Sequence, residues 1–192
     1  MFFRTFFIRT MACLLVTGCA SVPVSTMWKL RNFDLIETDA RKLRVGVRMP
    51  NHIRLKPGDV NVMVKLLKKG RTEETSRLDL SEVTDAKELA GVSTYRKSGF
   101  SVTVYRLTEG ALKKLSVFKA QFRQQKKRFG DDVSGQMSVT TTGCVKPGFN
   151  NRPVLVTTLF KSSETGSFVV LTAERNISKL LRQAGSIKPC HD

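Results

Sequence analysis

The chain is short of the residues that proton-transfer enzymes use most. Its 192 residues include two histidines, His52 and His191. No H-E-x-x-H occurs and no histidine cluster has zinc-ligand spacing, so no metal centre is indicated. There is no G-x-S-x-G, no S-x-x-K beside a matching partner and no glycine loop of the phosphate-cradling kind. A C-x-x-C pair is also absent. The adjacent acid pairs are Glu73-Glu74 and Asp131-Asp132. The second pair follows a helix end, where acids are poorly placed for the helix dipole but well solvated, so it reads as a turn. These absences leave no catalytic residue, no cofactor and no metal to name. No run of eighteen apolar residues appears, so no membrane-spanning helix is indicated.

Acidic residues are scarce as well: 16 Asp and Glu stand against 33 Lys and Arg, a formal charge of +17. An excess of this size raises affinity for any polyanion, whether nucleic acid, anionic lipid or a charged cell-wall polymer. Composition otherwise fits a folded domain, with 41% hydrophobic and 8% aromatic residues and no low-complexity tract or internal repeat.

The first eighteen residues, MFFRTFFIRTMACLLVTG, carry Arg4 and Arg9, no acid, and an apolar stretch running into small residues. That is the layout of an export signal. Its end, Val16-Thr17-Gly18-Cys19, resembles the lipobox of bacterial lipoproteins: an aliphatic residue, two small residues, then Cys. The resemblance covers four residues and the leader before them, and carries no information about the fold beyond. It implies cleavage after residue 18, a lipidated Cys19 and a short tether over 19–26, with a single periplasmic domain over 27–192. One fatty chain anchors only marginally, and stable attachment needs at least two. Ala20 rather than Asp follows Cys19, and in Gram-negative lipoproteins Asp there is associated with inner-membrane retention. The resemblance therefore points to the outer membrane, periplasmic side. Loss of Arg4 and Arg9 leaves 31 basic against 16 acidic residues, a formal +15. Fully extended, residues 20–26 reach about 25 Å, which keeps the domain near the bilayer.

With Cys13 lost in the leader and Cys19 lipidated, as the resemblance implies, Cys144 and Cys190 remain in an oxidising compartment. A disulfide is the default for such a pair; a metal or redox site beside His191 is the alternative. The bond would close a loop worth about 4 kcal/mol in the chain-entropy treatment.

Alternating apolar residues predict strands over 43–49, 60–66, 76–83, 100–107, 136–145, 154–161 and 167–173. Pro57-Gly58-Asp59 predicts a turn that pairs the first two as a hairpin, and residues 162–166 predict another. Over Glu109–Phe129, Ala111, Leu115, Phe118, Phe122 and Phe129 fall in a stripe about 60° wide, with Thr108 as N-cap and Gly130 as stop. A short helix over 176–184 has Ile177, Leu180, Leu181 and Ala184 at helical spacing. Residues 84–98 read as a polar, irregular loop. The expected fold is α+β: an antiparallel sheet or sandwich with one long amphipathic helix and one short C-terminal helix.

Outside its apolar stripe the long helix is cationic, with Lys113, Lys114, Lys119, Arg123, Lys126, Lys127 and Arg128. Near a bilayer, each such charge can add about 1 kcal/mol of attraction to anionic lipid. These seven are the expected contacts for an anionic lipid, a cell-wall polymer or an acidic envelope protein. The other reading is a solvated face tuned to the helix dipole. Arg44, Arg48 and Lys65 would enlarge the patch only from the same side. Nucleic acid is not an expected partner: the basic face has no interleaved aromatics, since Phe118, Phe122 and Phe129 belong to the apolar stripe. The sequence thus reads as a lipid-anchored, non-catalytic binding or assembly component of the envelope. A domain handling an apolar ligand is second, and an enzyme with an unrecognised site third.

Overall fold

The computed structural model describes residues 30–148, 152–179 and 187–190, together with Thr26. Cys19, the leader, His191 and most of the tether lie outside the described residues. So do residues 180–184 of the expected C-terminal helix; of its described residues, Asn176 ends a strand, while Ser178 and Lys179 are helical.

Among the described residues, the strands and α-helices described over their full span run in the order β1 (Arg44–Pro50), β2 (Ile53–Arg54), β3 (Val60–Lys68), β4 (Arg71–Glu82), α1 (Ala86–Ala90), β5 (Phe100–Leu107), α2 (Glu109–Phe129), β6 (Val133–Thr141), β7 (Gly143–Val145), β8 (Leu155–Lys161), β9 (Val169–Asn176) and β10 (Ile187–Pro189). Seven of the strands form one antiparallel sheet, ordered β6-β3-β4-β5-β1-β8-β9. The fold is the α+β arrangement that the patterning predicts.

Helix α2 has its expected ends. Thr108 Oγ1 accepts from Ala111 N at 3.1 Å, and Gly130 stops the helix at φ 55°. Ala111, Leu115 and Phe118 are buried, while Phe122 and Phe129 are half-buried. They pack onto a face made by Val45, Val47, Val62, Val64, Leu66, Leu78 and Phe160. This is how a sheet and an amphipathic helix each hide an apolar side.

The 43–49 and 60–66 strands do not form the expected hairpin. β1 lies between β5 and β8, and β3 lies between β4 and β6. The Pro57-Gly58-Asp59 turn forms, with Asp59 N bonded to Lys56 O at 3.0 Å, but it leads out of the two-residue β2. β2 belongs to a separate small sheet, β10-β7-β2. The reversal that pairs β3 falls at Lys69-Gly70, both at positive φ (48° and 74°), between the paired Lys68 and Arg71. Two such residues make the tight turn whose twist suits a hairpin. That turn carries β4 back through the polar, largely exposed residues 71–75, five positions before its alternation begins.

The expected 136–145 strand divides. β6 ends at Thr141, and Thr142 N donates to Asp59 O at 2.8 Å. β7 then crosses to the small sheet, where Cys144 and Cys190 form the disulfide, Cα to Cα 4.9 Å. Both cysteines are buried, and Cys190 N also donates to Val145 O.

Residues 84–98 are not an irregular loop. They contain α1 and a 3-10 turn over Ser93–Tyr95, and they cover the second face of the sheet. Val83 and Val92 pack there with Val104, Leu159 and Phe168. Gly46 is required beneath them, because a Cβ on it would stand 2.9 Å from Leu159 Cβ. Of this segment, Leu89, Val92 and Tyr95 pack in that cluster, too few and too unevenly spaced to register as a period.

Candidate anion-binding surfaces

The helix cations are spent in large part on the protein itself. Lys119 Nζ donates to Thr38 O at 2.7 Å. Burial lowers its pKa, aided by the charge of Arg123 and opposed by Glu37, Asp34 and Asp39. Arg123 pairs with Glu37 at 3.1 Å and donates to Ile36 O at 3.0 Å. Lys126 holds Asp131 at 2.9 Å, and its hydrogen bond and charge keep that carboxyl below its usual range. Lys114 stands 3.7 Å from Asp79. Arg128 lies against Phe129, 5.1 Å from the ring centroid. Lys113 and Lys127 are exposed and have no ion pair among the described residues. Of the seven, Lys119, Arg123 and Lys126 clamp residues 34–39 and the 3-10 turn after α2, Lys114 and Arg128 have looser exposed contacts, and Lys113 and Lys127 stand open.

Arg44, Arg48 and Lys65 do not enlarge it. They alternate with the buried residues that face α2, so they stand on the sheet's other side. There a second basic cluster arises that patterning alone does not expose. β1 pairs with both β5 and β8, and the register sets Arg44 directly opposite Arg106 on one side and Lys161 on the other. Like charges directly across neighbouring strands are destabilising. One acid answers them: Glu88 of α1 takes a two-pronged pair from the Arg44 guanidinium through Nε and Nη2. The third nitrogen, Nη1, is satisfied by Arg41 O and Leu43 O at 2.6 and 2.9 Å. The hydrogen bonds from Arg44 hold the Glu88 carboxyl below its usual range against partial burial, and the charges of Arg44, Arg106 and Lys161 add to the effect.

A cleft lies on each side of this pair. One, about 320 Å3, is lined by Lys42, Arg44, Glu88, Lys161, Ser162 and Ser163. The other, about 360 Å3, is lined by Arg41, Arg44, Ser81, Arg106, Thr108 and Glu109, and so opens at the N-terminus of α2, an electropositive end. Lys42 has Asp39 at 3.7 Å and Arg41 has Glu109 at 3.4 Å, all well exposed. Arg106 and Lys161 have no ion pair among the described residues; Lys161 Nζ lies 5.8 Å from the Phe168 ring centroid. Beside the first cleft, Glu164 is turned onto hydroxyls, accepting from Thr38 at 2.7 Å and Ser163 at 2.9 Å. Burial would raise its pKa, but hydrogen bonds from Ser162, Thr38, its own backbone and Ser163 outweigh that and bring it to about 2.

At the far end of β1, Arg48 donates to Tyr95 O at 3.0 Å and to Glu174 at 2.9 Å. Glu88 and Tyr95 thus tie both ends of the 84–98 segment to the sheet. Of the histidines, burial and the charges of Arg152 and Lys146 lower the His52 pKa; His191 is outside the described residues. The Asp131-Asp132 turn is exposed, as its reading requires.

No protein-family model, curated protein or solved structure matches this chain.

Proposed function

We propose that this chain is an outer-membrane lipoprotein, held by lipid on Cys19, whose basic periplasmic domain is a non-catalytic binding or assembly component of the cell envelope. Its partner is anionic: lipid headgroup, cell-wall polymer or acidic envelope protein. The observation that carries the reading is the leader ending in Val16-Thr17-Gly18-Cys19. The buried Cys144–Cys190 disulfide supports it, because such bonds persist in oxidising compartments. The basic excess supplies the reason for an anionic partner.

Carriage of an apolar ligand is the second reading, and the interior weighs against it. The apolar space bordered by Leu43, Val62, Leu78, Tyr105, Met137 and Phe160 measures about 10 Å3, at most room for one water. An acyl chain needs far more.

Labelling cells with a palmitate analogue tests the anchor. The wild-type protein takes up label and fractionates with membranes, and Cys19→Ser abolishes both. A Cys19→Ser protein that stays membrane-bound to the same extent overturns the address.

A further inference from the structure

We infer that the two clefts flanking the Arg44–Glu88 pair form one site for a ligand carrying two phosphate groups. The inference deepens the reading of an anionic partner and rests on it. Three cations lie in a single row across β5, β1 and β8 because the register puts Arg106 and Lys161 opposite Arg44. Four of the middle cation's five N–H donors go to Glu88, Arg41 O and Leu43 O. It therefore has little left to offer a ligand, and with Glu88 it forms a neutral divider. The outer two, Arg106 and Lys161, keep their charges without an ion pair among the described residues. Each opens into its own cleft, large enough for a phosphate group. Two strand spacings separate them, about 10 Å.

A row of like charges opposes folding, and a protein keeps such a cost where a ligand repays it. The chemistry on each side suits phosphate. Lys161 and Lys42 supply ammonium donors beside the Ser162 and Ser163 hydroxyls in the first cleft. In the second, the Arg106 fork matches two phosphate oxygens, beside the N-terminal end of a 21-residue helix. Glu109, exposed at that end and paired with Arg41, is the one acid that competes there.

The test is a calorimetric titration of the full lipidated chain in nonionic detergent. The probes are inorganic phosphate and a linear alkanediol bisphosphate long enough to span two strand spacings. The bisphosphate is expected to bind more than about tenfold tighter than phosphate, and Arg106→Gln or Lys161→Gln to remove about tenfold of that affinity. The comparison protein Lys113→Gln/Lys127→Gln loses two charges from α2 and is expected to bind as the wild type does. Equal affinity for the two probes overturns the two-cleft site, and so does an equal loss in the α2 protein. No affinity for either probe also overturns it, and leaves an acidic protein as the partner. A second arm places the chain on phosphatidylcholine vesicles with and without phosphatidylglycerol. Loss of bisphosphate binding only on the phosphatidylglycerol vesicles identifies membrane headgroups as the source, and retention identifies a soluble one. Failure of the anchor is read separately: a chain without palmitate label overturns the address while the titration is unaffected.

Discussion

Two basic regions of this protein have similar composition and opposite wiring. On α2 the cations are crowded in sequence, yet most reach an acceptor on the protein: Lys119 on Thr38 O, Arg123 on Glu37 and Ile36 O, Lys126 on Asp131. In the β5-β1-β8 row the cations are scattered in sequence and brought together by register, with Glu88 the one acid paired with them among the described residues. A run of lysines can thus be scaffolding, while a lone arginine on each of two strands can be a concentrated charge. The difference is geometric. A helix surface lets long side chains swing toward whatever acceptor lies alongside, whereas strand neighbours are fixed a few ångströms apart.

The largest expected effect comes from beneath the row. Gly46→Ala forces a Cβ into Leu159 and should cost about 1–3 kcal/mol of stability, read by urea unfolding, with the second-face core loosened. Glu88→Gln comes next. Losing charge-assisted bonds on a half-buried pair should cost about 1–2 kcal/mol, while the extra net positive charge tightens phosphate binding. Stability and affinity moving in opposite directions would set the row apart from an ordinary clamp. The matching change on the helix side, Glu37→Gln, breaks an exposed pair and should cost at most about 0.5 kcal/mol with no change in phosphate affinity. If Glu37→Gln tightens binding as much as Glu88→Gln does, the two regions are alike and the comparison fails.

The last effect is in pH, and solvent screens it because Glu164 is exposed. Glu164 falls from 4.5 to about 2 in the folded state, so its contribution is complete above pH 4.5 and is lost as pH falls toward 2. Glu88 shifts in the same direction. The urea midpoint should therefore decline over that window, and Glu164→Gln should flatten part of the decline. An identical slope in the variant would show that the hydroxyl cage around Glu164 does not stabilise its charge.

Elements with local causes were legible from the chain. Thr108 and Gly130 bracket α2, and the stripe from Ala111 to Phe129 names its buried face, because capping and periodicity act within a few residues. β5 and the β8–β9 hairpin were legible for the same reason. Pairing was not. Pro57-Gly58 is a stronger turn signal than Lys69-Gly70, yet the second makes the hairpin, since β1 is claimed by β5 and β8 from far along the chain. The row was illegible on the same grounds: Arg44, Arg106 and Lys161 have no local pattern in common. The basic run on α2 was legible as charge, but its acceptors at residues 34–39 were not. The weak signal that residues 84–98 were structured was Val92 and Tyr95 among polar neighbours.

The claim that the row, and not the helix, contacts the anionic partner is tested most directly by vesicle sedimentation. The Cys19→Ser chain removes lipid attachment, so pelleting with phosphatidylglycerol vesicles reports the domain. On that background Arg106→Gln/Lys161→Gln removes two charges, and Lys126→Glu/Lys127→Glu/Arg128→Glu reverses three. The two neutralisations in the row are expected to abolish most pelleting, and the three reversals on α2 to leave most of it intact. Pelleting lost with the α2 reversals and retained without Arg106 and Lys161 would contradict it.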